Sequence, residues 1–262
     1  MSCKVAVPSP LRAFEAEKLK VQIYRTRDEL GAAAAAAVAA RMRELLSRQG
    51  RVVMTFAAAP SQNEFLAHLC EEKGIDWGKV IAFHLDEYVG LPPDAPQGFG
   101  NFLRRHLFDK VRPGTIYFMN GNAPDVEAEC RRYAELLEAN PIDIACIGIG
   151  ENGHIAFNDP PVADFNDPKK VKVVALDERS RLQQVHDGCF DSLEEVPKLA
   201  ITMTVPAILS AKAIFCMVPA KSKAEAVRAA LRGPVTVSCP ASILRRHDDA
   251  TLYLDSDSAS LL

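Results

Sequence analysis

Paired cysteines are missing from this 262-residue sequence, and with them the usual spacing of a metal site or a disulfide framework. Its seven cysteines (Cys3, Cys70, Cys130, Cys146, Cys189, Cys216, Cys239) stand singly. An odd number of scattered thiols, with Cys146 and Cys216 inside strand-like runs, predicts reduced and mostly buried side chains in a reducing compartment. Long apolar runs are missing too. The alanine-rich stretch Ala32 to Ala40 runs into Arg41 and Arg43, and it falls short of the roughly 20 apolar residues that a membrane-spanning helix needs. Met1-Ser2-Cys3-Lys4 leads into no apolar signal segment. Basic charge is not in excess: 31 Lys and Arg face 34 Asp and Glu, a net charge of −3. A phosphate-backbone binder needs a basic face, so a nucleic-acid partner is not expected, and neither is a membrane. Internal repeats, low-complexity tails and linkers are absent, which predicts one domain over residues 1–262 in the cytoplasm.

What is present suits a large buried core, with 48% apolar and 25% charged residues. Residues 11–24 read as a lead-in with a strand ending at Tyr24. Asp28 to Arg48 reads as a helix, acidic at its start and basic near its end, stopped by Gly50. A strand follows at Val52 to Phe56, then a small-residue turn, then Ser61 with Glu64 three residues on, the pattern of a capping box opening a helix through Cys70. Further strands are expected at 80–83, 142–147, 171–176, 213–218 and 251–254, and helices at 101–108, 125–139, 204–210 and 221–231. Alternation of this kind predicts an α/β fold, a mostly parallel sheet with helices on both faces.

Two strand ends carry chemistry. After the strand at 142–147 comes Gly148-Ile149-Gly150-Glu151-Asn152-Gly153-His154-Ile155-Ala156-Phe157-Asn158-Asp159-Pro160, a glycine-broken turn holding an imidazole, two amides and acids. After the strand at 80–83 come Asp86 and Glu87. Ligands of open α/β sheets bind at the carboxyl ends of strands, and glycine lets the backbone approach them closely. A carboxylate facing an imidazole across a cleft suits acid–base work on a small molecule. Taken singly, Asp86 and Asp159 could equally be turn or capping acids, and His154 a half-buried histidine. Together on adjacent strand ends, they point to a site.

The segment Phe83-His84-Leu85-Asp86-Glu87-Tyr88-Val89-Gly90-Leu91 and the turn from Gly148 to Pro160 closely resemble the two signatures of the glucosamine-6-phosphate deaminase (glucosamine/galactosamine-6-phosphate isomerase) family. Asn120 to Asp125, Ala200 to Thr204 and Lys221 to Val227 extend the likeness. The resemblance implies a modified Rossmann-like sandwich and conversion of a hexosamine 6-phosphate to a ketose phosphate and ammonia without cofactor or metal. It implies Asp86 as the base moving a proton between C2 and C1, and His154 as the group assisting ring opening, steered by Asn152 and Asp159. Ala58, Ser61, Glu87, Gly153, His186 and Lys223 would contact substrate, and the protein would be a homo-oligomer.

The chain departs from the family inside the site. Asp159 stands where glutamate is usual, so its carboxylate should reach His154 only through a backbone shift or a water. Asn152 replaces an aspartate of some members. The phosphate loop, rich in Thr, Gly and Ser in the family, reads Phe56-Ala57-Ala58-Ala59-Pro60-Ser61-Gln62 here, leaving the amino terminus of the following helix as an anion site. Lys223 matches the family's phosphate lysine, while His186 aligns with its phosphate arginine, a bidentate contact that histidine does not reproduce. Lys169 and Lys170 are not assigned an allosteric role. Two other readings compete: a 6-phosphogluconolactonase-like hydrolase, disfavoured by Ile155-Ala156-Phe157-Asn158 after the histidine, and a non-catalytic amino-sugar-binding protein.

Overall fold

The computed structural model describes residues 7–262; Cys3 and the Met1 to Lys4 segment lie outside them. The lead-in is a hairpin, β1 (Arg12–Ala16) and β2 (Leu19–Tyr24). Helix α1 (Arg27–Gln49) starts at Thr26, whose side chain accepts the Glu29 N–H, and ends at Gly50 with φ 74°. A glycine tolerates that left-handed cap without steric cost. Then come β3 (Val52–Phe56), α2 (Asn63–Glu71), β4 (Val80–His84) and a short β5 (Asp86–Tyr88). Helix α3 (Phe99–Leu103) continues through a π-helical turn at Arg104–Phe108 into α4 (Asp109–Val111). The remainder alternates: β6 (Thr115–Ile116), α5 (Val126–Ala139), β7 (Ile144–Ile147), β8 (Val171–Ala175), α6 (Glu178–His186), β9 (Leu199–Met203), α7 (Val205–Leu209), β10 (Ala213–Val218), α8 (Ala224–Arg232) and β11 (Ala250–Asp255).

Eight strands form the main sheet in the order β1-β2-β11-β10-β7-β3-β4-β6. Every pairing in it is parallel except the β1–β2 hairpin. Both faces are covered, and the period of two shows in the side chains. Val53, Ala145, Cys216 and Leu252 pack with α5, α7 and α8 in one core; Met54, Ile144, Met217 and Tyr253 pack with α1 and α2 in the other. Parallel strands buried on both faces read as near-continuous apolar runs, which is why β3, β7 and β10 stand out in the sequence. From β3 the chain proceeds outward to β4 and β6, then returns to place β7 on the other side of β3. The switch point where ligands collect in such sheets is therefore between β3 and β7.

Two expectations are corrected, and two elements are new. The Ser61–Glu64 capping box does not form: Pro60–Gln62 makes a 3-10 turn, and α2 begins at Asn63 without a side-chain cap. Glu64 instead binds Arg27 at 2.9 Å, joining α2 to α1. Asp86-Glu87-Tyr88 is a strand rather than a loop, and it belongs to a second, three-stranded antiparallel sheet, β5-β9-β8. That sheet needs β9, which alternation alone did not single out; nor did it single out α6.

Candidate active site

The ends of β3, β4 and β7 lie side by side, with Phe56 in register with both His84 and Cys146. Their following loops meet in a small, solvent-open cleft of about 60 Å³, lined among others by Ala58, Ser61, Asp86, Gly148, His154 and Gln184. At Gly150 a Cβ would overlap the His154 ring, so the imidazole lies flat on bare backbone. Gly153, at φ +86°, turns the chain so that its N–H binds the Gly150 carbonyl and its own carbonyl accepts from Ala241. Gly153 thus shapes the turn that carries His154.

His154 is held through one nitrogen. Its Nδ1 lies 2.8 Å from Asn152 Oδ1 and 2.9 Å from Asp159 Oδ1. The Asn152 amide donates to the same Asp159 oxygen at 3.0 Å, which fixes the amide's orientation and makes its Oδ1 the acceptor. Two acceptors around Nδ1 place the proton there and leave Nε2 free for a ligand. The shorter Asp159 side chain reaches the ring directly, with neither water nor gap. Its second oxygen accepts the Asp177 N–H at 3.2 Å. Burial pushes the Asp159 carboxyl up, but its hydrogen bonds and the His154 charge outweigh burial and hold it below its ordinary value.

Asp86 faces the opposite condition. It is 6% exposed, and burial, followed by the charges of Glu87 and Asp159, raises its proton affinity well above that of an ordinary aspartate. Among the described residues no group hydrogen-bonds its carboxyl, so nothing offsets the cost of desolvation. Its backbone, by contrast, is pinned. His84 Nδ1 lies 2.8 Å from the Asp86 carbonyl, and its Nε2 accepts the Met119 N–H at 2.9 Å. Burial lowers the His84 pKa to about 4, so this imidazole is a neutral bridge. Strand β9 ties the two halves together: Asp86 pairs with Thr202, whose hydroxyl accepts the Phe157 N–H at 3.1 Å.

Glu87 is turned away from chemistry. Its carboxylate accepts the backbone N–H groups of Tyr88, Phe99 and Gly100 at 2.8–3.0 Å, capping α3. Both Glu87 carboxylate oxygens are thereby engaged with backbone N–H groups.

The far end of the cleft is built differently. The Ala57 N–H binds the Cys146 carbonyl and the Gln62 N–H binds the Ala59 carbonyl, while Pro60 has no N–H to offer. The N–H groups of Ala58, Ala59 and Ser61, which have no partner among the described residues, remain to face an anion in the cleft. Lys223 is 3% exposed with no hydrogen-bond partner for Nζ; burial lowers its pKa, against the pull of Asp187 and Glu151. Glu151 lies 4.0 Å from Lys223 Nζ and 3.5 Å from His186 Nδ1. His186 has a side chain 62% exposed, at the end of α6 rather than in the cleft wall. Helix α6 supplies what the sequence did not point to: Gln183, which holds the Glu151 N–H at 2.8 Å, Gln184 in the cleft wall, and Ser180, 3.5 Å from His154 Nδ1. The Asp177 cap at its start was the one local signal for this helix.

Residues 25–253 match the family described as glucosamine-6-phosphate isomerases/6-phosphogluconolactonase. The chain belongs to this family. A glucosamine-6-phosphate deaminase of Thermoanaerobacter sp. (strain X514) is 37% identical over 250 residues, covering 93% of this chain and 95% of its own. That of Lactobacillus delbrueckii subsp. bulgaricus is 35% identical over 244 residues, covering 93% and 100%. Among solved structures, a monomeric glucosamine-6-phosphate deaminase superposes with a TM-score of 0.85 at 35% identity, covering 92% of this chain and 99% of its own. A 6-phosphogluconolactonase from Shewanella baltica gives 0.76 at 17% identity, covering 92% and 100%, a likeness of fold alone. None of the helices among the described residues is long and apolar enough to cross a membrane.

Proposed function

We propose that this protein deaminates and isomerises a hexosamine 6-phosphate, releasing a ketose phosphate and ammonia. The observation that carries the reading is the pairing in one cleft of a desolvated, unbonded Asp86 carboxyl with a His154 ring oriented through Nδ1 alone. His154 Nε2, unprotonated in this tautomer, takes the proton of the C1 hydroxyl as the pyranose opens and delivers it to the ring oxygen. Asp86 removes the proton from C2 of the open-chain sugar and returns it to C1. Water then adds at C2 and ammonia leaves. Burial raises the proton affinity of Asp86 and so strengthens it as a base for a carbon acid. Asn152 and Asp159 keep the imidazole in the tautomer the first step needs. Lys223 receives the phosphate.

Relatives at 35–37% identity named as glucosamine-6-phosphate deaminases support this reading over the lactonase one. One domain over 1–262, without cofactor, suits it, and the six cysteines among the described residues, all free and four of them buried, suit the cytoplasm. A homo-oligomer is the family expectation; the solved relative described as monomeric makes light scattering the direct check. The activity test offers purified protein glucosamine 6-phosphate, galactosamine 6-phosphate, glucosamine and 6-phosphogluconolactone, following ammonia and lactone loss. Ammonia from an amino sugar phosphate is expected. Ammonia from none of the amino sugars overturns the proposal, and lactone hydrolysis would install the other family activity.

A further inference from the structure

Lys223 and Glu151 lie beside the Gln183 wall of the cleft, in a relation that the acid–base chemistry does not use. A buried ammonium without a hydrogen bond requires an anion nearby. The anion at hand is Glu151, 4.0 Å away, in contact range but short of a hydrogen bond. Its other oxygen faces His186 at 3.5 Å. The Glu151 backbone is anchored by Gln183, and Gln183 in turn donates to Asp187 at 3.3 Å. Asp187 is the second acid whose charge acts on Lys223. One lysine therefore faces two carboxylates, and the guanidinium that would tip the balance is a histidine here.

We infer that Glu151 is a resident counter-anion for Lys223, which a ligand phosphate must displace, and that it sets how strongly this site discriminates for a phosphorylated substrate. The inference deepens the proposed function and rests on Lys223 as the phosphate contact. Two like charges cannot share one ammonium cheaply at this burial. Binding a phosphate requires Glu151 to swing outward, toward exposed His186. Glu151 thereby spends part of the phosphate's binding energy, so the 6-phosphate contributes less to affinity than it would in a site with an unopposed lysine.

The test measures inorganic phosphate binding by calorimetry, which needs no turnover and so stands apart from the fate of the deaminase reading. Glu151→Gln keeps the shape and removes the charge. It is expected to tighten phosphate about five- to tenfold and to lower KM for glucosamine 6-phosphate more than it changes kcat. Glu151→Asp, which retains the charge, should restore most of the wild-type value. Lys223→Met should abolish both phosphate binding and the gain from Glu151→Gln in the double variant. Unchanged or weaker phosphate binding in a folded Glu151→Gln protein overturns the inference. So does an equal gain in the Lys223→Met background.

Discussion

The cleft has two ends, and they are secured by different means. At the acid–base end, His154 and Asp159 are buried, hydrogen-bonded with the half-buried Asn152 and backed by both sheets. At the other end, alanines replace hydroxyls, a proline removes an amide, and Lys223 shares its charge with Glu151 beside an exposed His186. The first end leaves one atom, His154 Nε2, with one task. The second is a balance of charges that small substitutions can tip. The geometry accordingly specifies the reaction more tightly than the strength with which the substrate's phosphate is held.

The largest expected effects lie at the first end. Asp86→Asn should lower kcat by roughly 10²–10⁴-fold with ligand affinity largely retained; near wild-type turnover in a steady-state assay would remove Asp86 as the base. Gly150→Ala drives a methyl group into the His154 ring, and a misplacement of this order should cost about 10²-fold in kcat, read against an unchanged circular dichroism spectrum. At the second end, His186→Arg should tighten phosphorylated substrate about 10-fold, the worth of one charge-assisted hydrogen bond. The reading of position 186 as a phosphate-facing one fails if KM does not fall.

The smallest effect is thermodynamic and distinguishes the two acids of the first end. The folded-state pKa of Asp86 is raised above 3.8, so the folded protein binds a proton there more tightly than the unfolded chain does. Stability is lost as pH climbs from the unfolded value toward the folded one. Replacing Asp86 with Asn should therefore raise Tm at neutral pH and have little effect near pH 3. The pKa of Asp159 is lowered, so its contribution is present above 3.8 and disappears only as pH falls through the folded value. Asp159→Asn should lower Tm at neutral pH. Thermal melts across pH 3–8 give both signs in one series.

Much of this was legible in the sequence because parallel strands buried on both faces leave unbroken apolar runs. Val52 to Phe56 and Ile144 to Ile147 announce their ends, and the ends carry Asp86 and His154. Helix α6 left little trace: Glu178 to His186 offers only Leu182 and Val185 as apolar residues, too few for a stripe. The Ser61–Glu64 pattern misled because Pro60 sets up a 3-10 turn and Arg27, distant in sequence, captures the glutamate. The reach of Asp159 to His154 depends on how tightly the Gly148–Pro160 turn folds back, which residue spacing does not specify. Glu87 reads as part of the site because it adjoins Asp86, yet alternation along a strand sends it to the other face.

Leu85 is the one residue between β4 and β5. Its N–H bonds to Phe56 in the main sheet, and its carbonyl accepts from Met203 in the small one. One residue back along β9, Thr202 grips the His154 turn through Phe157. The proton-abstracting carboxylate and the ring-opening imidazole are thus gauged from a common ruler, strand β9.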